Sequence, residues 1–157
     1  MPVADRAEHY SNINLTFSLD TNAYASGDLL ADTQELASAV RASDGYAVLT
    51  AIELNDEDDQ GVAMYVVLLD ANVSLGTENS APSISDANAR NILSIVPVAT
   101  TDWQDLGGVR VATLRNLSIP VKSASGSTSI YVGLLNGTGT PTFTAAGIRG
   151  RFTFDQN

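Results

Sequence analysis

Residues 12–20 read Asn-Ile-Asn-Leu-Thr-Phe-Ser-Leu-Asp. Ile13, Leu15, Phe17 and Leu19 alternate strictly with polar neighbours, the period-two pattern of a strand with one buried and one wet face. The far end of the chain repeats the pattern: Ile148, Phe152 and Phe154 alternate with Arg149, Arg151, Thr153 and Asp155. Between these ends, Tyr46–Leu54, Val62–Leu69, Ile92–Val98 and Ile130–Leu135 read as further strands. The intervening Asn55–Gly61 reads as a hairpin loop joining two of them. Residues 109–119 slip phase, with Val109, Val111, Leu117 and Ile119 on one parity and Leu114 on the other, as a bulge would produce. Pro120 cannot donate to a ladder and marks an edge or an end.

Asn22–Gly27, Asn72–Pro82, Asp102–Gly108, Ser123–Ser127 and Asn136–Pro141 carry turn and loop composition. Ser85 is placed to cap a short helix near 85–91. Residues 29–42 are ambiguous: Asp32 and Glu35 have capping-box spacing, and Leu36 and Val40 stand four apart. The all-β surroundings decide for a strand. About eight strands result, with turns every ten to fifteen residues and no fixed-period repeat. The expected fold is all-β: a single-domain antiparallel sandwich of jelly-roll type over 12–157, preceded by a flexible, polar N-terminal arm over 1–11.

The chain has 157 residues and no cysteine. One domain of that size buries roughly 68–70 % of its unfolded surface and needs no disulfide staple. Residues 1–25 hold no apolar run of signal-peptide length, so synthesis in a cytosol without N-terminal export is expected. No segment reaches membrane-span length. The formal charge of −10 argues against nucleic-acid partners. It is unevenly spread: Asp155 is the single acid after Asp105, against Arg110, Arg115, Lys122, Arg149 and Arg151. Ordinary surface charge, intermixed by folding, explains this as the default. Complementary patches across a subunit interface are the sharper reading.

Catalytic chemistry is thinly provided. His9 is the one histidine, and with no cysteine a Ser–His–Asp triad or zinc site has little to build on. No phosphate-binding glycine motif occurs. Asp56-Glu57-Asp58-Asp59-Gln60-Gly61 resembles the start of a calcium loop, but it fails the EF-hand template: position five is Gln60, and position twelve, where Glu is required, is Val67. A solvated turn is the plainer reading. A carboxylate-pair glycosidase would want aromatic platforms, and Trp103 is the sole tryptophan. Glu53 alternates outward between Ile52 and Leu54. No enzyme, cofactor, metal or small-molecule substrate is expected.

Two strands are apolar on both faces. In Val62–Leu69, Met64, Val66 and Leu68 oppose Tyr65, Val67 and Leu69; in Ile130–Leu135, Val132 and Leu134 oppose Tyr131 and Leu135. Such strands need cover on both sides. Asn72–Pro82 and Ser123–Ser127 read as too polar to supply much of it. Tyr65, Val67, Leu69, Tyr131 and Leu135 are therefore the expected homo-oligomer interface.

Three stretches together carry a family resemblance: Tyr24-Ala25-Ser26-Gly27-Asp28; Ile84-Ser85-Asp86-Ala87-Asn88-Ala89 through Val96; and Ile130–Leu135 followed by Asn136-Gly137-Thr138-Gly139-Thr140-Pro141. In order and spacing, from about Ile13 to Asp155, the chain resembles small structural proteins of tailed bacteriophages, which include jelly-roll capsid decoration, or cement, proteins. The resemblance implies a virion location and a homotrimer on the outer capsid surface, bridging subunits of the major capsid protein at three-fold positions. The arm, with Pro2, Val3, Arg6, His9 and Tyr10, would then add a strand to a capsid subunit's exposed edge. The competing reading is a non-catalytic carbohydrate- or receptor-binding jelly roll of a phage tail or host surface.

Overall fold

The computed structural model describes residues 9–156. Its strands are β1 (His9–Thr16), β2 (Leu29–Leu36), β3 (Tyr46–Asp56), β4 (Met64–Leu69), β5 (Ile92–Val98), β6 (Trp103–Asp105), β7 (Arg110–Leu114), β8 (Ile119–Lys122), β9 (Ile130–Asn136) and β10 (Ile148–Gln156). The helix α1 spans Asp86–Ala89, with the Ser85 hydroxyl accepting from the Asn88 amide at 3.1 Å. Among the described residues no helix is long and apolar enough to cross a membrane.

The strands form two antiparallel sheets. Sheet A runs β1-β10-β3-β7-β6, with β8 also on β3; sheet B runs β2-β9-β4-β5. The pairings nest: β1 with β10, β2 with β9, β3 with β7 and β8, β4 with β5. That is one long antiparallel ribbon rolled across two sheets, the connectivity of a jelly roll. β7 and β8 share the place beside β3, and the short β6 adds a strand outside β7, so ten strands fill nine positions, one more than the eight strands that the sequence suggests.

Inward residues follow the period-two reading except where β3 bulges between Leu49 and Ile52. Leu49, Ile52, Leu54, Phe152 and Phe154 from sheet A meet Met64, Val66, Leu68, Val132 and Leu134 from sheet B, all fully buried. Phe17 packs edge-on against Phe152 at 6.4 Å between ring centroids. Gly150 makes room for both rings, since a Cβ there would lie 3.2 Å or less from each.

Four expectations are corrected. Asn55–Gly61 is no hairpin: β3 lies in sheet A and β4 in sheet B, so the loop crosses the sandwich. Trp103–Asp105, read as turn, is the short strand β6. Three residues are too few for a period to show. The predicted arm is shorter at its C-terminal end, because His9, Tyr10 and Ser11 pair with Gln156, Asp155 and Phe154. Strand character in 29–42 stops at Leu36.

The phase slip near Leu114 is a break with extra residues. Five positions separate Leu114 from Ile119, yet their partners Ile52 and Leu49 stand three apart. Asn116 takes up the slack at φ 56°. Pro120 then lies in β8, which pairs with β3 alone.

Tyr24 ties the β1–β2 connection to the core. It is 1 % exposed, and its ring packs on Phe143. Its hydroxyl accepts from the Asp20 amide at 2.7 Å and donates to the Leu30 carbonyl at 3.0 Å. Burial pushes the phenol up from 10.0 to about 12. Below pH 10 the folded and unfolded chains both hold this proton. Above it the unfolded chain releases the proton first, so stability falls as pH rises. Tyr24→Phe should cost about 1–3 kcal/mol at neutral pH by orphaning the buried Leu30 carbonyl and the half-buried Asp20 amide. The wild-type advantage should shrink by roughly 1.4 kcal/mol between pH 9 and pH 11. Urea unfolding of both proteins across that range measures it; a constant difference would show that the buried phenol ionises no later than the exposed one.

Candidate functional site

The outer face of sheet B is apolar, and the register shows which residues share it. Tyr65 stands between Leu135 and Pro97, Val67 between Gly133 and Ile95, and Leu69 opposite Tyr131. The connection from β4 to α1 crosses this face as a strap. Leu75 is buried over Gly133, where an added Cβ would lie 2.5 Å from Leu75 Cδ1. Leu29, Val67, Leu69 and Leu75 form a second small core, with Val73, Ile84, Ile92, Tyr131 and Leu135 packed against it.

The strap's polar residues fasten it to β2, the edge strand of sheet B opposite β5. The Leu75 amide donates to one Asp32 carboxylate oxygen at 2.7 Å, and the Ser74 hydroxyl to the other at 2.8 Å. The Thr33 hydroxyl donates to the Val73 carbonyl at 2.7 Å. The Leu29 amide donates to the Ser80 carbonyl, and its carbonyl accepts from the Asn79 amide. The expectation that Asn72–Pro82 is too polar to cover much is therefore corrected. Its polar atoms satisfy a bare sheet edge, which also shields that edge from foreign strands. A few apolar side chains then suffice, because Gly133 leaves a notch for one of them.

The predicted interface residues separate accordingly. Val67 and Leu69 are buried within the chain, beneath the strap. Tyr131 and Leu135 are half-buried beside it. Tyr65 remains 43 % exposed. Two neighbours that sequence reasoning missed extend the bare surface: Ile95, 50 % exposed, and Pro97. Both parities of Ile92–Val98 are apolar apart from Ser94, and only the burial of Val96 and Val98 shows that Ile95 and Pro97 face out. The result is an apolar row, Ile95–Pro97–Tyr65, on β4 and the outermost strand β5, with Leu135 at its margin. Pro97 has no amide to offer an added strand. The face, rather than the edge, is what this corner presents.

Of the predicted arm contacts, Pro2, Val3 and Arg6 lie outside the described residues. His9 and Tyr10 are in β1, opposite Gln156 and Asp155.

The acidic run beyond β3 splays in four directions. Buried Asp56 accepts from the Gly61 amide at 2.7 Å and the Asp58 amide at 3.0 Å, while burial holds its carboxyl above the ordinary range. Asp58 accepts from the Thr144 amide at 2.8 Å. Asp59 pairs with Arg110 at 2.7 Å and Glu57 with Arg149 at 2.8 Å. Among the described residues, no group of three carboxylates or histidines converges to hold a metal ion. Trp103 is buried, its indole N–H donating to the Val62 carbonyl at 2.9 Å, so it presents no platform to a sugar.

No family model and no curated protein matches the chain. Several solved structures of viruses resemble it in shape. A chain of deformed wing virus aligns at TM-score 0.38 and 8 % identity, over 94 % of this chain and 75 % of that one. A chain of Israeli acute paralysis virus aligns at 0.34 and 12 %, over 94 % and 70 %. Desmodium yellow mottle tymovirus aligns at 0.30 and 8 %, over 98 % and 84 %. The jelly-roll assignment rests on the strand order itself.

Removing the strap's anchor should loosen the outer face. Leu75→Ala should cost about 3 kcal/mol in urea unfolding and raise hydrophobic-dye binding by the native protein. Gly133→Ala should destabilise the wild type more than it destabilises Leu75→Ala, because the colliding atom is then gone. Additive effects of the two changes would show that Leu75 does not occupy the Gly133 notch.

Proposed function

We propose that the chain is a structural virion protein, a capsid decoration protein that binds the outer surface of a tailed phage's shell as a homotrimer and stabilises it. The observation that carries this reading is the bare row Ile95–Pro97–Tyr65 on a domain whose other apolar strand faces are largely covered among the described residues. Such a row suits association between copies or with a shell subunit. The acids that could have suggested catalysis are spent on turns and ion pairs, which fits a clamp better than an enzyme. The sequence resemblance to phage cement proteins points the same way.

The mechanism would be linkage. A protein that binds the expanded shell and not its precursor stabilises the expanded shell by mass action. Three arms per trimer, each adding a strand to a capsid subunit, would raise avidity without requiring a large contact from any one of them.

Light scattering on the purified protein should give the mass of three chains, and Tyr65→Asp combined with Ile95→Asp should reduce it to one. An unchanged mass in the double variant would remove the row from the interface. The wild type should also co-sediment with expanded phage shells; failure to do so overturns the decoration reading. Deleting residues 2–8 should weaken co-sedimentation and leave the mass unchanged, and equal decoration by the truncated chain would exclude the arm.

A further inference from the structure

Sheet A turns a different face outward. Four of the chain's eight Lys and Arg residues, Arg115, Lys122, Arg149 and Arg151, collect there, in a protein of net charge −10. The face holds two adjoining shallow depressions. One, of about 240 Å³, is lined by Arg115, Arg151, Asn12, Thr113, Thr153 and Glu53, with Ala51 between them. The other, of about 350 Å³, shares Arg151 and adds Arg149, Asn14 and Asn55. The small side chain at Ala51 opens the first. A register shift brings it outward: Thr153 faces Ala51 while Phe154 faces Leu49, leaving Thr50 as the extra residue.

The charges are not all spent. Arg149 is held by Glu57 at 2.8 Å, and Arg151 by Glu53 only at 3.8 Å. Arg115 has no ion pair among the described residues. At one end of the face stand Tyr10 and Tyr46, 57 % and 55 % exposed, the latter with the Lys122 ammonium 5.2 Å from its ring centroid. Tyr10 is one outward step from Asn12 along β1, about 7 Å.

We propose that this face binds a carboxylate-bearing polysaccharide. Arg115, with Arg151 beside it, offers the planar fork that takes a carboxylate in two hydrogen bonds. Asn12, Thr113, Thr153 and Glu53 offer the mixed donors and acceptors that sugar hydroxyls require. The tyrosines offer flat apolar surface for a sugar ring, wet at the phenol. A nucleic acid is disfavoured, because Glu53, Glu57 and Asp155 stand among the arginines, whereas duplex DNA brings a charge about every 1.7 Å. A protein segment is disfavoured, because the depressions have no apolar pocket for an anchoring side chain. The site lies on the sheet opposite the Tyr65 row.

Native electrophoresis through gels containing polygalacturonate at low salt tests this with the full-length chain alone. The wild type should be retarded, and Arg115→Ala should weaken the apparent affinity at least about tenfold, consistent with loss of one charge-assisted bidentate contact. Ala51→Leu, which fills the depression, should do the same, with an unchanged thermal melt in both variants. No retardation of the wild type, or equal retardation of wild type and both variants, overturns the proposal. Equal retardation by fully methyl-esterified polygalacturonate overturns the role of the carboxylate. Arg115-dependent retardation of equal strength by polyglutamate overturns the sugar in favour of an acidic peptide. Because no capsid enters the assay, its failure leaves the decoration reading untouched.

Discussion

Sheet B is apolar on both faces, and much of the molecule follows from covering it. Water on either side of such a sheet costs about 25 cal/mol for each Å² of apolar surface left bare. The inner face is met by sheet A across the main core. The outer face is met by the strap, which works because β9 carries Gly133 where any larger residue would collide with Leu75. The same strap satisfies the free edge of β2 through Asp32, Thr33 and the Leu29 backbone. Cover and edge protection are thus one device. The apolar row left on β4 and β5 marks where the strap ends.

Much of this was legible in the amino-acid order. Period-two alternation at 12–20 and 148–155 identified β1 and β10, while the phase slip near Leu114, read as a bulge within one strand, is in fact the break between β7 and β8. Two-sided hydrophobicity at 62–69 and 130–135 marked β4 and β9 as the strands needing double cover. What alternation cannot express is which sheet a strand joins. Two strands flanking a seven-residue acidic loop look like a hairpin whether or not the chain crosses the sandwich between them. The strap was illegible for a related reason. Val73, Leu75 and Ile84 follow no period, since each reaches down from irregular backbone held by side-chain and backbone hydrogen bonds. Val67 and Leu69 were consequently assigned to a surface that the chain covers itself, while Ile95 and Pro97 were overlooked in a strand that is apolar on both parities apart from Ser94.

The charge asymmetry had a geometric meaning that composition could not reveal. Folding does intermix the acidic and basic segments: Arg110, Arg149 and Arg151 pair with Asp59, Glu57 and Glu53. Even so, β8 and β10 occupy the same sheet, and Lys122, Arg149 and Arg151 share the outward parity of their strands, with Arg115 following β7 onto the same face. Their inward neighbours Val121, Ile148 and Phe152 are core residues. Burial of one parity thus forces the cations of the other onto a common surface. The two sheets consequently present unlike outer faces: apolar on B, polar and locally cationic on A.

The pairing of β1 with β10 sets His9 against Gln156. Sheet A therefore cannot close until nearly the last residue of β10 has left the ribosome, whatever has formed before. Hairpin β4–β5 can zip early, but β1 must wait with Ile13 and Leu15 unpaired for more than a hundred residues of synthesis. Pairings this distant in sequence carry a large loop-closure cost and fold slowly. Until then the chain is most exposed to off-pathway association. The polar outward residues of β1, Asn12, Asn14 and Thr16, keep one side of that waiting strand soluble.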